Sequence, residues 1–423
     1  MDKTISPSSI AGSLLAPASK SQTIRALAAA MLARGASQIS HPSACDDALA
    51  MLDIARKLGA KIEERENAYH ILGGINLKAS LIDCGESGLA ARLMIALAAL
   101  SDQVVNITGK GTLLNRKLEN IAEPLKMLGA DCQSTDGKLP FRVKGPLRGG
   151  QIMVDGSAGS QFVSGLLMAL PLVANDSTLE VSDLKSKPYI DMTLEVLRQF
   201  GITINHQNYQ NFTIPGNQKY IPAAMQIEGD WSGAAFLLVA GAIAGDVSVT
   251  NLNLNSKQAD IKILEALRSV GAKLCIKENS ILIKKSPLKC FEFDATHCPD
   301  LFPALAILAA NAKGTSRIDG VDRLKQKESD RGLVLHQELG KLGVNIRLDG
   351  NVMLIEGEPI KGGTVFSHHD HRIAMAAAIA GLVANDCVTI QNAECVSKSY
   401  PQFFEDLALL QKSLKFQTKP ALA

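Results

Sequence analysis

Aromatic side chains are scarce in this chain: they make up 4% of its 423 residues, with a single tryptophan. Hydrophobic residues still make up 46%, so the core must be built from Leu, Ile, Val and Ala. An excess of one charge is also lacking, since the net charge is +2. General electrostatic binding of nucleic acid is therefore not expected. Any anion binding must depend on a few cations held in one place.

The eight cysteines include no C-x-x-C pair, which argues against a zinc ribbon or a thioredoxin-like site. Scattered thiols are typical of a reducing compartment, and we expect a cytoplasmic protein. Apolar runs such as residues 165–174 are shorter than the roughly 20 residues that a membrane-spanning helix needs. Residues 1–20 lack a basic start followed by an apolar run, so no signal peptide is expected.

One type of segment occurs five times and ends an amphipathic helix with a glycine before it enters a strand. In the first copy, Leu52, Ala55 and Leu58 form one apolar stripe. A glycine at the end of a helix allows the left-handed conformation that commonly terminates it. The glycines lie 70 or 72 residues apart and are Gly59, Gly129, Gly201, Gly271 and Gly343. A sixth copy, near 404–416, is degenerate and lacks the glycine.

A second type of segment alternates with the first and consists of an Ala- and Leu-rich helix, a small turn and a β-branched strand. Its six copies are 24–39, 89–107, 162–181, 234–249, 301–318 and 372–390. These helices are apolar on nearly all sides and should be buried, whereas the Gly-ended helices carry a polar face and should lie outside.

The length of the repeat predicts the domain organisation. Units of about 70 residues are too long for a solenoid, whose repeats usually have roughly 20–45 residues. We therefore predict an α/β protein of the α+β type, with three units in each of two domains. The predicted domains are residues 19–226, and residues 1–18 together with 227–423. Because the N-terminal tail joins the second domain, two strands cross between the domains.

Polar and charged residues gather where the Ala-rich helices begin. Lys20 and Arg25 lie at the first of these starts, and Arg372 lies at the last. The helix dipole opposes a cation at an N-terminus, so such cations make sense where an anion occupies the site. The repeats should align these helix ends, and we predict a cleft that binds phosphates and carboxylates. Further cations on predicted loops are Arg116, Lys187, Lys327, Arg331 and Lys398.

Two of these features have simpler explanations. The charged run 325–331 is equally compatible with a solvated loop, because spacing alone does not distinguish a loop from a site. The run His368-His-Asp-His371 suggests a metal site at first sight. No fourth ligand is evident and Arg372 adjoins the run, so no metal is expected.

Several motifs occur in a fixed order over nearly the whole chain. They are Lys20-Ser21 with Arg25, Arg116, Ser160-Gln161, Ser186-Lys-Pro-Tyr189, Asp300, Lys327-Glu-Ser-Asp-Arg331, Asp370-His-Arg372 and Lys398-Ser-Tyr-Pro401. In this order they resemble the EPSP synthase family of enolpyruvyl transferases. The resemblance implies two inside-out α/β barrel domains, each of three βαβαββ units, joined by a two-strand hinge. That organisation agrees with the number of repeats counted above.

The resemblance also implies a reaction and the residues that perform it. The enolpyruvyl group of phosphoenolpyruvate would pass to the 5-hydroxyl of shikimate 3-phosphate, through a tetrahedral intermediate that loses phosphate, without cofactor or metal. Asp300, Glu328 and Lys20 would transfer protons. The residues that would bind phosphoenolpyruvate are Lys20, Gly88, Arg116, Gln161, Arg331, Arg372 and Lys398. Those that would bind shikimate 3-phosphate are Lys20, Ser21, Arg25, Ser160, Gln161, Ser186, Tyr189, Asp300 and Lys327.

The resemblance implies a monomer that acts on these two small molecules and on neither nucleic acid nor a membrane. The chain departs from the family pattern at a few positions. The family usually has Asn-Ala/Ser-Gly-Thr in the second repeat, where this chain has Glu86-Ser-Gly-Leu89. Gly159 replaces the first of two usual serines, and Arg323 stands where Asn is common.

Three other functions remain as alternatives. A UDP-N-acetylglucosamine enolpyruvyl transferase usually has Lys-Asn after the first strand and a catalytic Cys on a loop, but Lys20-Ser21 and the Cys-free run 112–117 stand here. An RNA 3′-phosphate cyclase would need a nucleophilic histidine, such as His371, and a basic surface that a net charge of +2 does not favour. A non-catalytic anion-binding protein would gain nothing from Asp300 and Glu328.

Overall fold

The structure is a computed structural model that describes residues 1–74, 79–118 and 120–417. Its α-helices are α1 (Lys20–Leu32), α2 (Asp46–Lys57), α3 (Gly88–Ala98), α4 (Ala122–Met127), α5 (Gln161–Ala169), α6 (Pro188–Gln199), α7 (Trp231–Ala244), α8 (Ile263–Ser269), α9 (Phe302–Ala310), α10 (Arg331–Lys341), α11 (His371–Val383) and α12 (Phe403–Gln417).

The strands alternate with these helices along the chain. They are β1 (Lys3–Ile5), β2 (Ile10–Leu15), β3 (Ala36–Ser40), β4 (Lys61–Arg65), β5 (Ala68–Leu72), β6 (Leu81–Asp83), β7 (Val105–Thr108), β8 (Asp131–Thr135), β9 (Lys138–Lys144), β10 (Gln151–Asp155), β11 (Ser177–Ser182), β12 (Asn205–Gln207), β13 (Asn211–Ile214), β14 (Ala224–Gln226), β15 (Gly245–Thr250), β16 (Lys273–Lys277), β17 (Ser280–Lys284), β18 (Glu292–Asp294), β19 (Gly314–Asp319), β20 (Asn345–Asp349), β21 (Val352–Gly357), β22 (Gly363–Phe366) and β23 (Val388–Gln391).

The chain divides into two units. The first unit is Ala18–Glu228, and the second unit is Met1–Pro17 together with Gly229–Ala423. The predicted boundaries, residues 18/19 and 226/227, lie within two residues of these positions. Each unit contains three of the small sheets in the described part of the chain. Those of the first unit have the orders β14-β3-β5-β4, β6-β7-β9-β8 and β10-β11-β13-β12, and those of the second β16-β17-β15-β2, β18-β19-β21-β20 and β1-β23-β22.

The expected βαβαββ unit is clearest in the second, third and fifth repeats. In the second repeat, β6 pairs parallel with β7 across α3, and the antiparallel hairpin β8-β9 follows α4. Two repeats exchange their first strands: β2 precedes α1 but pairs parallel with β15, while β14 precedes α7 but pairs parallel with β3. The last repeat has no closing hairpin among the described residues, and β1 pairs antiparallel with β23 instead.

The helix-ending glycines have the backbone conformation that the repeat predicted. The φ angles of Gly59, Gly129, Gly201, Gly271 and Gly343 lie between 78° and 100°. A side chain is disfavoured in this left-handed region, so glycine ends each of these helices at low cost.

The Ala-rich helices form the interior of each unit. Every residue of α7 and of α9 is buried, and α7, α9 and α11 pack against one another in the second unit. In the first unit, α3 packs against both α1 and α5. The amphipathic Gly-ended helices keep an exposed face, as α2 does through Asp53 and Arg56. Helices therefore fill the interior of each unit, and strands lie around them. Because the sides of each buried helix face other apolar elements, its polar residues collect at its start.

None of the helices in the described ranges is long and apolar enough to span a lipid bilayer.

Candidate active site

Arg331, the first residue of α10, is the centre of an ion-pair cluster in the second unit. The side chain is fully buried. Its Nε donates to Asp370 Oδ2 at 2.9 Å, its Nη1 donates to Asp300 Oδ1 at 2.9 Å, and its Nη2 donates to Glu328 Oε2 at 2.6 Å. One guanidinium therefore fixes three carboxylates, a geometry that suits the planar fork of arginine and not the single ammonium of lysine.

Asp300 also contacts two further cations. Lys327 Nζ lies 3.2 Å from its Oδ1, and Arg372 donates from Nη2 to its Oδ2 at 3.3 Å and from Nη1 to its backbone oxygen at 3.1 Å. Burial favours the neutral acid, but Arg372, Lys327 and Arg331 outweigh it and hold the pKa of Asp300 well below its usual range. Burial lowers the pKa of Lys327 in spite of the neighbouring Asp300.

Helix caps place two of these groups. The Asp330 side chain accepts from the backbone nitrogen of Leu333, so α10 begins at Arg331. The Asp370 side chain accepts from the backbone nitrogen of Arg372 at 3.0 Å and caps α11. Asp370 thus satisfies a helix terminus and the Arg331 guanidinium together, because a carboxylate has lone pairs for both.

A further carboxylate, Asp260, lies near Asp300 and Arg372. It is fully buried, Ser232 Oγ donates to its Oδ2, and its Oδ1 has no hydrogen-bond partner among the described residues. Burial, with Asp300 and Asp230 nearby, raises the pKa of Asp260 to about 7, although Arg372 and Ser232 act against the shift. The carboxyl is thus neutral in acid solution and costly to ionise.

Replacement of Asp260 by Asn should change the pH dependence of stability. The folded protein keeps a proton on Asp260 that the unfolded chain has released above about pH 4, so the wild type loses stability as pH rises towards 7. The difference in unfolding free energy between the Asn variant and the wild type should therefore shift in favour of the variant by about 1–2 kcal/mol as pH rises from about 5.5 to about 8. Urea unfolding at the two pH values measures the shift. An equal difference at both would contradict the raised pKa.

The first unit also contains cations at helix starts. Lys20 Nζ, at the start of α1, lies 3.0 Å from Asp47 Oδ2 in the first turn of α2. Arg25 is buried, and its Nε donates to Thr193 Oγ1 at 2.8 Å while its Nη1 donates to the backbone oxygen of Ser21 at 2.9 Å. Burial lowers the pKa of Arg25 to about 10. An anionic ligand would offset this burial, since it would favour the charged guanidinium.

A second group of polar residues surrounds the start of α3. Arg92 donates from Nη1 to the Gly88 backbone oxygen at 3.1 Å and to Gln161 Oε1 at 3.0 Å. A Cβ atom added to Gly88 would lie 3.1 Å from Arg116 Nη1 and 3.2 Å from Arg92 Nη1. Gly88 therefore leaves the space in which two guanidinium groups meet beside a helix N-terminus, which is a favourable place for an anion.

Ser160, Ser186 and Tyr189 lie near helix starts in the first unit, whereas Lys398 lies at the end of a short helix in the second. Ser160 is buried and precedes α5 without capping it through its side chain. Ser186 is buried and has a φ angle of 57°, and the Arg25 guanidinium lies 5.9 Å from the Tyr189 ring centroid. Lys398 is buried at the end of the short helix Ala393–Lys398, which packs against α11.

Sequence reasoning missed four polar partners: Asp47, Thr193, Asp260 and Thr112, the last of which donates to Glu86. Asp47 is indistinguishable in sequence from an ordinary acidic residue in the first turn of a helix. Thr193 lies within a helix and makes its contact 168 residues away in sequence, with Arg25. Packing of the first repeat against the third brings Thr193 to Arg25, whereas the other three contacts form within single repeats.

The histidine run 368–371 is engaged in contacts within the protein. His368 Nε2 lies 2.8 Å from Glu338 Oε1. In the part of the chain that the structure describes, no group of three His, Cys, Asp or Glu side chains could hold a metal ion.

Comparison with known proteins identifies the family. Residues 5–407 match the family model described as EPSP synthase (3-phosphoshikimate 1-carboxyvinyltransferase). The chain is 39% identical to a 3-phosphoshikimate 1-carboxyvinyltransferase of Clostridium perfringens, over 97% of this chain and 98% of that one. It is 40% identical to a protein of the same name from Methanosarcina acetivorans, over 98% and 99% of the two chains.

Solved structures give the same result. An EPSP synthase from Acinetobacter baumannii matches with a TM-score of 0.82 and 30% identity, over 97% of this chain and 98% of that one. The enolpyruvyl transferase NikO from Streptomyces tendae has a TM-score of 0.75 at 18% identity, which shows a common fold alone. The protein therefore has the two-domain, inside-out α/β barrel fold of the enolpyruvyl transferases. By its sequence and its fold, the chain belongs to the EPSP synthase family.

Proposed function

We propose that this protein transfers the enolpyruvyl group of phosphoenolpyruvate to the 5-hydroxyl of shikimate 3-phosphate and releases phosphate. The cluster around Arg331 carries the proposal together with family membership, because it holds Asp300 and Glu328 among cations. Addition of a hydroxyl to an enol phosphate needs an acid for one carbon and a base for the hydroxyl. Two acidic substrates need cations that a protein of small net charge must concentrate at one place.

The proposal divides the binding residues between the two substrates. Phosphoenolpyruvate is bound through its phosphate and carboxylate by Lys20, Gly88, Arg116, Gln161, Arg331, Arg372 and Lys398. Shikimate 3-phosphate is bound by Lys20, Ser21, Arg25, Ser160, Gln161, Ser186, Tyr189, Lys327 and Asp300. Asp300 accepts hydrogen bonds from the ring hydroxyls of shikimate 3-phosphate. Arg25 supports this division, since a buried guanidinium gains from an anionic partner.

Asp300, Glu328 and Lys20 perform the proton transfers. Asp300 is strongly ionised by its three cations, and a carboxylate of very low pKa is a weak base. Substrate phosphate and carboxylate groups that pair with Arg372, Lys327 and Arg331 would weaken this effect and raise the proton affinity of Asp300. The same substrates would let Glu328 hold the proton that it delivers to C3 of phosphoenolpyruvate. Catalytic competence would then arise only when substrates are bound.

The site as proposed contains no cofactor or metal, and the protein acts as a monomer in the cytoplasm. Its eight cysteines are all free, which supports a reducing compartment. The monomeric state is open to measurement by sedimentation.

Phosphate release from phosphoenolpyruvate tests the proposal. The assay is run with shikimate 3-phosphate and, separately, with UDP-N-acetylglucosamine. Release is expected with the first acceptor alone. Release with the second acceptor alone would instead identify a UDP-N-acetylglucosamine enolpyruvyl transferase.

A further inference from the structure

Glu86 lies in the turn between β6 and α3, at one of the positions where this chain departs from its family. Its Oε2 accepts from Thr112 Oγ1 at 2.9 Å and from the Thr112 backbone nitrogen at 3.3 Å. Thr112 belongs to the short helix Gly111–Asn115, and Arg116 follows that helix directly. The carboxylate therefore joins the start of α3 to the loop that carries Arg116.

The backbone of this loop is built around the Glu86 carboxylate. Gly111 has a φ angle of 51°, and a Cβ atom at this position would overlap the carboxylate. No other residue combines this left-handed conformation with the absence of a side chain. The Lys110 backbone nitrogen donates to the Gly85 oxygen at 2.7 Å, and Lys110 Nζ lies 3.4 Å from Asp83 Oδ2. Residues 110–112 thus contact the turn 83–86 at several points.

The same turn places the residues that meet Arg116. Ser87 caps α3 through its side chain, and Gly88 begins the helix at the point where the Arg92 and Arg116 guanidinium groups approach. A displacement of the loop 110–115 would move Arg116 away from this helix start, whereas Arg92 is held separately by Gln161. The contact between Glu86 and Thr112 is thus one of those that hold the Arg116 loop against this helix start.

We propose that Glu86 is a positioning residue, which sets the affinity for phosphoenolpyruvate by anchoring the Arg116 loop through Thr112. This inference rests on the proposed function, in which Arg116 binds phosphoenolpyruvate. Its sign is opposite to what the charge alone would suggest, because an acidic side chain near an anionic substrate would otherwise weaken binding. Anchoring of the loop and repulsion of the substrate can be separated by experiment, since anchoring acts through Thr112 and repulsion does not.

Thr112→Val is the principal test, with Thr112→Ser as its matched control. Valine has the shape of threonine but lacks the hydroxyl that donates to Glu86, so only the backbone nitrogen of residue 112 still donates. Serine keeps the hydroxyl, and the charge of Glu86 is unchanged in both variants. The Val variant should raise the KM for phosphoenolpyruvate about tenfold, the order of magnitude of one hydrogen bond to a charged group. The KM for shikimate 3-phosphate should stay within about twofold of the wild type, and the Ser variant should resemble the wild type.

Glu86→Gln and the double variant separate anchoring from charge. If Glu86 anchors the loop, Glu86→Gln should raise the KM for phosphoenolpyruvate less than Thr112→Val does, because its amide oxygen still accepts from Thr112 but forms a weaker, uncharged hydrogen bond. The double variant should be no worse than Thr112→Val alone, because both changes act on one contact. A lower KM in Glu86→Gln with a silent Thr112→Val would overturn the proposal in favour of simple charge repulsion. Equal losses in kcat and in both KM values would overturn it in favour of a structural role.

Hydrogen exchange of the 109–118 amides tests the anchor independently of activity. Exchange should accelerate in Thr112→Val and remain unchanged in Thr112→Ser, because the loop opens more often without its anchor. Unchanged exchange in Thr112→Val would refute the anchor whatever the kinetics. If the wild type fails to turn over phosphoenolpyruvate, the proposed function is wrong, and exchange alone then decides whether Glu86 holds this loop.

Discussion

Replacement of Glu328 by Gln should lower kcat by about 10²–10⁴-fold, the usual contribution of a positioned acid or base. Gln has nearly the shape of Glu and can still accept from Arg331, whose Nη2 lies 2.6 Å from Glu328 Oε2. It cannot deliver a proton to C3 of phosphoenolpyruvate. The KM values should change much less than kcat, because the lost group acts in the transition state.

Glu265→Gln is the matched control for this variant. Glu265 pairs with Lys262 at a spacing of three residues, as Glu328 does with Arg331, but the Lys262–Glu265 pair is exposed. The control removes the same charge in the same unit, and its kcat should stay within about twofold of the wild type, since exposed pairs contribute little. Near-normal turnover of Glu328→Gln, in a variant that unfolds at the same temperature as the wild type, would eliminate Glu328 as the proton donor.

A second measurement distinguishes the chemical step from a general loss of activity. In deuterated water, an enzyme that protonates C3 reversibly transfers solvent deuterium to phosphoenolpyruvate. This transfer should slow in Glu328→Gln at least as much as turnover does. Rapid deuterium transfer together with slow turnover would assign Glu328 to a later step, such as the loss of phosphate.

Much of the fold follows from local patterns in the sequence. The glycines after α2, α4, α6, α8 and α10 mark helix ends because no other residue adopts a positive φ angle so cheaply. The fully apolar α7 and α9 are buried because such helices have no polar face to expose. The degenerate last repeat was visible too, since the glycine is missing there. Its strand β1 comes from the N-terminus, a pairing that local pattern does not encode.

The candidate site was predictable in its cations and less so in their partners. Lys20 and Arg372 stood out because a cation at a helix start is unfavourable without an anion nearby. Asp47, which pairs with Lys20, resembled an ordinary acidic residue, and Asp300, which pairs with Arg372, was expected in the site through the family resemblance alone. Asp370 resembled a simple N-cap, and the structure shows that it also holds Arg331. Asp260 gave no signal, because its burial and its contact with Ser232 depend on the packing of one helix against another.

Loss of Arg331 should have the largest effect on stability. Arg331→Met leaves Asp300, Glu328 and Asp370 without their shared cation, and Asp370 is fully buried. Removal of one partner from a buried ion pair costs about 3–5 kcal/mol, because the remaining charge is left without compensation. Arg331→Lys keeps the charge but cannot reach three carboxylates, so its loss should be intermediate. Activity should fall in both variants, since Arg331 also belongs to the proposed phosphoenolpyruvate site.

The control for Arg331 is Arg317→Met, which breaks a half-exposed pair with Asp319 in the same unit and should cost less than about 1 kcal/mol. The loss in Arg331→Met should also depend on pH. Arg331 helps to depress the pKa of Asp300, so it stabilises the folded protein above the unfolded carboxyl pKa of about 4, and this contribution disappears as pH falls further. Urea unfolding should therefore show a large difference from the wild type near neutral pH and a smaller one in acid. A difference no larger than that of Arg317→Met at neutral pH would mean that the three carboxylates do not need a common cation.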